Sequence, residues 1–204
     1  MPIAFTTLTS PQFRQRVPEL VSIYIRAMGY SSTISGARQS AWTTHSRYLG
    51  FHAVAAIDYS AGKKPDPRDP EQPIRGFAYG YRGGDGQWWN TQVKAALRSA
   101  GAPTHVQSQL LANYTELAEI HVEPSWQSSG LGHYLLTTFA SNLTSQKLLL
   151  STPEVACENN HAFHLYRRLG FTDIVRNMHF PGDPRPFAIL GSCLPLNGDN
   201  SSLI

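Results

Sequence analysis

The chain has 204 residues, 41% hydrophobic and 15% charged, with a formal net charge of +3, a length that suits one domain able to bury a core without disulfide or metal staples. No segment approaches the roughly 20 apolar residues of a membrane-spanning helix, so a membrane protein is not expected. Its 17 Lys and Arg against 14 Asp and Glu form no dense basic stripe with interleaved aromatics, so nucleic acid is not expected as a partner either.

In chain order, AFTTLTS alternates weakly and leads into Ser10-Pro11, a strand followed by a helix N-cap with proline in the first turn. Phe13, Val17, Leu20, Val21, Tyr24, Ile25 and Met28 then recur at three- and four-residue spacing, predicting a helix broken at Pro18. Ser35 offers a cap for a second helix over residues 36–50, ended by Gly50. FHAVAAI reads as a buried strand, and residues 61–73, with four prolines among charges, as an exposed and mobile hairpin loop. IRGFAYGYR alternates as a strand.

Residues 83–113 form a helical insert, in which Trp89, Val93, Ala96 and Leu97 make the stripe of one helix closed by Gly101. YTELAEIHV is the next strand, stopped by Pro124. A helix marked by Leu131, Tyr134, Leu135, Thr138, Phe139 and Leu143 follows, then the strand KLLLST and the helix NNHAFHLYRRLG. The strands FTDIVRNMHF and FAILGSCLPL, joined by a turn, close the order, and the tail 197–204 is expected to fray. Strands alternating with helices in the middle imply parallel pairing there, and the last two strands an antiparallel end. The class is α/β, a mixed sheet covered by helices, in a single domain spanning 1–204. With no basic and apolar leader at the N-terminus, the expected location is cytoplasmic, where Cys157 and Cys193 read as small apolar residues rather than a bridge.

QSSGLGHYLL, residues 127–136, carries the chemistry. A helix start leaves backbone N–H groups unpaired beside a partial positive charge. Gly130 and Gly132 let an anion approach, and Ser128 and Ser129 add hydroxyl donors. The same letters also suit a plain helix start. Neither the dinucleotide fingerprint nor the lysine-bearing phosphate loop is present.

The pair V-x-P-x-x-Q-x-x-G-x-G, from Val122 to Gly132, and N-x-x-A-x-x-L-Y-x-x-L-G-F, from Asn159 to Phe171, resembles the GNAT superfamily of acetyl-CoA-dependent N-acetyltransferases. The resemblance implies an α+β GNAT fold, its sheet mostly antiparallel with a parallel central pair. It implies acetyl-CoA as co-substrate, its pyrophosphate on the segment Gln127, Ser128, Ser129, Gly130, Leu131, Gly132 and His133. It further implies that the pantetheine arm pairs with Ile120, His121 and Val122 and is hydrogen-bonded by Asn159, and that Tyr166 stands near the thioester sulfur. Serines at 128 and 129, where many relatives carry arginine or glycine, leave the loop without a charge of its own.

Amine acetylation needs a neutral amine and a proton for the departing thiolate. Glu119 and Glu154 are the leading candidate bases, and Glu116 is the third, on the opposite face of its strand from Glu119. Glu154 matches the base position of ribosomal-protein alanine acetyltransferases. Tyr166 is the candidate acid, against the plainer reading of a core tyrosine. Trp88, Trp89 and Tyr79 are candidate acceptor contacts or, equally, core filler. His161 and His164 have no third ligand beside them, so no metal is expected, and an acyl-enzyme route through Cys157 is disfavoured. The expected activity is acetyl transfer to a small-molecule or peptide amine, with a non-catalytic acyl-CoA-binding domain as the rival reading and a homodimer left open.

Overall fold

The computed structural model describes residues 2–196 and 203; the tail expected to fray lies, Leu203 aside, outside them. Seven strands form one mostly antiparallel sheet in the order β1-β2-β3-β4-β5-β7-β6. β4 (Tyr114–Val122) and β5 (Lys147–Pro153) are the parallel pair, with Tyr114–Leu117 against Lys147–Leu150. The mixed sheet and its parallel pair are therefore as expected. By internal packing the chain divides into two compact units, 1–81 with 118–143 and 82–117 with 144–204, where one domain over 1–204 was expected.

In the first unit, β1 (Ile3–Thr7), β2 (His52–Asp58) and β3 (Ile74–Arg82) form an antiparallel run, with a bulge between Ala56 and Ile57. α1 (Ser10–Met28) starts on Ser10, the expected cap, so its N-cap falls one residue earlier. Thr9 is the N-cap, its hydroxyl accepting from the Gln12 amide while the Gln12 side chain accepts from the Thr9 amide, a reciprocal capping box. Pro18 does not break α1. It removes one backbone donor, but buried Phe13, Val17, Leu20, Val21 and Tyr24 on either side hold the helix together.

α2 (Ser35–His45) ends five residues before Gly50 and has no side-chain cap, a shorter helix than expected. Its Trp42 packs with Phe13, Leu20, Phe77 and Tyr79 in one core. The proline-rich loop is tethered rather than loose. The buried Arg16 guanidinium donates to the carbonyls of Pro67, Asp69 and Gln72 at 3.0, 3.1 and 2.9 Å.

In the second unit the insert holds two helices where one was expected, α3 (Trp88–Ser99) and α4 (Thr104–Leu110). Trp89, Val93 and Leu97 recur every fourth residue on the buried face of α3. Asn90 donates to the Tyr114 hydroxyl at 3.0 Å, deep in the packing. Residue 83 must be glycine, because a Cβ there would lie 1.9 Å from the Tyr114 ring. β6 (Thr172–His179) and β7 (Pro186–Cys193) are antiparallel, and β7 also pairs antiparallel with β5. α6 (His161–Arg168) precedes β6. Among the described residues no helix is long and apolar enough to cross a membrane.

Candidate active site

The first unit holds the glycine loop. β4 ends at Val122, and Glu123 accepts two hydrogen bonds from Arg26 at 2.8 and 2.6 Å, which fixes the strand's exit to α1. A single 3-10 turn over Pro124–Trp126 follows, with the Arg75 guanidinium 5.3 Å from the Trp126 ring centre. Gln127, Ser128, Ser129 and Gly130 are all exposed. Ser128 (φ 62°) and Gly130 (φ 87°) are left-handed, the kind of backbone that gathers amides into an anion-binding concavity.

α5 (Leu131–Ser141) begins at Gly130 with no side-chain cap. A serine hydroxyl is one ordinary cap at such a start and glycine another. Here the Ser129 hydroxyl donates instead to the Trp126 carbonyl at 2.5 Å, and Gln127 donates to the Val122 carbonyl at 3.3 Å. The His133 amide turns back to the Gly130 carbonyl at 3.1 Å. The side chains next to the helix start are thus engaged elsewhere, which suits an anionic ligand at the first turn of α5. The two serines supply shape and not charge.

Upstream on β4, Glu119 and His121 are two residues apart and share a face. Their Oε2 and Nε2 atoms lie 2.7 Å apart, with the side chains 18% and 11% exposed. Aromatic rings fix the imidazole. Tyr24 meets it edge-on at 5.0 Å between ring centres, and Phe77 lies at 5.7 Å. Burial, and next the Glu119 charge, push the Tyr24 phenol well above its usual range, so it keeps its proton. Arg38 of α2, itself exposed, sits 5.4 Å from the centre of the Tyr24 ring. Burial likewise pushes the His45 imidazole down, with Glu119 opposing.

Tyr79 is fully buried and hydrogen-bonded to His45 Nδ1 at 3.1 Å. As a core side chain it cannot present its ring to an acceptor, which corrects that expectation.

The second unit carries the other motif. The neighbouring asparagines divide their work. Asn160 caps α6, its Oδ1 accepting from the Phe163 amide at 2.8 Å. Asn159 is exposed, and among the described residues its side-chain amide has no hydrogen bond. Two consecutive left-handed residues without glycine's freedom, Cys157 and Glu158, precede it. Tyr166 is 6% exposed on α6, its ring 5.6 Å from that of Phe171.

Glu154 is locked in an ion-pair network. Arg176 of β6 grips both its oxygens at 2.8 and 2.6 Å, and the Asn177 amide donates at 2.8 Å. These bonds hold its carboxyl below the usual carboxylate range, which makes it a poor proton acceptor. Glu158 is bound by Arg167 and Arg176 in the same network. Glu116 is buried on β4. Of the tryptophans, Trp88 is 56% exposed and stacks on Phe180 at 5.3 Å. Trp89 is buried against Tyr114, its indole donating to the Ser151 hydroxyl at 3.3 Å, so it too is a core residue and not an acceptor contact. His161, His164 and Cys157 are exposed.

As a site residue Tyr24 is not legible in the sequence: it belongs to the apolar stripe of α1, and only the fold sets its ring against His121, with Tyr30 and Arg38 against Tyr24 in turn.

Comparison with known proteins places these features. Residues 75–173 match the family model described as an acetyltransferase (GNAT) domain. The chain is 39% identical over 206 residues, 96% of itself and 100% of the relative, to a GCN5-like protein acetyltransferase of Mycobacterium tuberculosis. It also resembles the ribosomal-protein-S18-alanine N-acetyltransferase of Escherichia coli, at TM-score 0.59 and 18% identity, covering 98% of each chain. A Salmonella typhimurium structure solved with acetyl-CoA gives 0.57 and 15%, again covering 98% of each chain. At those identities the two structures speak to the fold.

Proposed function

The chain belongs to the GNAT family, is an acyltransferase and uses acetyl-CoA, and from that premise we propose that it moves the acetyl group to a primary amine by direct attack, with Glu119 as base and Tyr166 as acid. Acetyl-CoA supplies the thioester carbonyl and a thiol leaving group. The observation that carries the reading is the glycine loop, where α5 starts uncapped while Ser129 turns its hydroxyl away. The loop from 128 to 133 takes the pyrophosphate through its backbone amides other than that of His133, which bonds to the Gly130 carbonyl, His121 and its neighbours on β4 pair with the pantetheine arm, and the side-chain amide of Asn159 bonds to it.

Glu119 is preferred to Glu154 on chemical grounds. An alkyl ammonium must lose a proton before its nitrogen can attack, and the carboxylate that receives it has to be available. Arg176 and the Asn177 amide occupy Glu154. Among the described residues, Glu119 meets a histidine and no guanidinium at comparable range. Its carboxylate takes the ammonium proton, the neutral nitrogen forms the new C–N bond, and the C–S bond breaks. Tyr166 gives its phenolic proton to the departing sulfur, whose basicity is similar, and the new amide nitrogen sheds its remaining extra proton to solvent, from which the phenolate is reprotonated. A protein or peptide amine is the acceptor this reading favours, because the relative at 39% identity is named a protein acetyltransferase. Exposed Trp88 is the remaining aromatic candidate for an acceptor contact.

A panel of amines tests it, with acetyl-CoA as donor and thiol release as readout. Lysine-bearing peptides, peptides with only a free N-terminus, amino acids and polyamines are the arms. Turnover with a peptide arm is the expected result, and thiol release that no amine accelerates would overturn the proposal.

A further inference from the structure

Glu119 does not stand alone. On the same face of β4, His121 puts Nε2 2.7 Å from Glu119 Oε2, and both side chains are largely shielded. A carboxylate on a strand has several rotamers, and a base that wanders among them wastes much of its effect. The imidazole that could hold it is itself held, edge-on to Tyr24 at 5.0 Å and beside Phe77 at 5.7 Å. The ring is thus clamped by α1 and β3, with its far nitrogen aimed at the carboxylate.

Resting on the reading of Glu119 as base, we propose that His121 is a positioning residue, whose Nε2 fixes the Glu119 carboxylate through Oε2 and leaves the other oxygen to receive the acceptor's proton. The titratable groups that sense the Glu119 charge from the packed elements are Tyr24 of α1 and His45 of α2, with Tyr30 and Arg38 acting in turn on Tyr24. Tyr24 is kept protonated, so it can donate but cannot compete as a base. Arg38 lies on the other side of the Tyr24 ring as the nearby positive charge. Removing Nε2 frees the carboxylate to turn among its rotamers, so the rate should fall while cofactor binding holds.

The choice of atom makes the test specific. A glutamine amide nitrogen reaches about where Nε2 sits, whereas an asparagine amide nitrogen reaches only about as far as Nδ1. His121→Leu should lower kcat about tenfold or more, a share of the roughly 10²- to 10⁴-fold that a general base supplies. The KM for acetyl-CoA should hold, because the strand's backbone is untouched. His121→Gln should recover most of the rate, and His121→Asn should not. If His121→Leu does not fold, the Gln and Asn variants decide. Equal rates in those two, a wild-type rate in the Leu variant, or a loss carried by KM with kcat unchanged would each overturn the proposal. Glu119→Gln separates the two layers. If it keeps full kcat, the base assignment fails and the positioning role with it; if it is inactive while His121→Leu matches wild type, the positioning role alone fails.

Discussion

Replacing Gly130 by alanine isolates the backbone of the loop. Gly130 has φ 87° and ψ −5°, and a Cβ built there meets only Tyr134 Cε2, at 3.8 Å. The added methyl has room, so the penalty is conformational, about 1–2 kcal/mol for a left-handed residue with a Cβ. That strain has two outlets. If the loop keeps its shape without ligand, all of it appears as lost stability, about 2–4 °C in Tm per kcal/mol for a chain of this size. If the free loop relaxes, coenzyme binding must restore the shape, and Kd weakens by up to about 5- to 30-fold. Thermal melts and calorimetric titration with coenzyme A, read together, should account for about 1–2 kcal/mol between them. A variant unchanged in both Tm and Kd would show that the left-handed turn is not what forms the cradle.

Three further changes test the frame around the site. Glu158 is held down to about 2 from 4.5, chiefly by Arg167 and then by Arg176. Its folded pKa is depressed, so its stabilisation is present above pH 4.5 and is lost as pH falls toward 2. Glu158→Gln should therefore melt below wild type near neutrality, the gap closing toward pH 2; a gap independent of pH would contradict this. Gly76→Ala puts a Cβ 2.9 Å from Leu135 Cδ1 of α5 and 3.0 Å from the His121 carbonyl. It should cost about 1–3 kcal/mol of stability, and a wild-type Tm would show the strand and helix yielding freely. Arg16→Met strands three loop carbonyls and should cost about 1–3 kcal/mol. Limited proteolysis between residues 61 and 73 should become faster, and an unchanged cutting rate would mean that Arg16 does not tether the loop.

Sequence patterning was clearest where alternation met a hard boundary. β3 and β4 run over the residues read as strands, between a proline-rich loop and a glycine on one side and ahead of Pro124 on the other. α4 was invisible because THVQSQL has no apolar stripe and buries only Leu110. Pro18 misled because propensity is local, while the burial that holds α1 straight is tertiary. The glycine loop and the helix after it were legible since they are adjacent in the chain. Glu154 was not separable from Glu119 by sequence, because its partner Arg176 lies 22 residues on in another strand. Tyr79 and Trp89 looked like acceptor contacts since an aromatic on a strand or helix reads the same facing a pocket or a core.

The pH–rate profile of Glu119→Gln with one accepted amine tests the central claim most directly, alongside wild type and Tyr166→Phe. Wild type should show an acid limb in kcat/KM that disappears in Glu119→Gln with a roughly 10²-fold or greater loss of rate. Tyr166→Phe should slow transfer while binding coenzyme A as wild type does. A Glu119→Gln enzyme that keeps both the wild-type rate and the acid limb would contradict the mechanism.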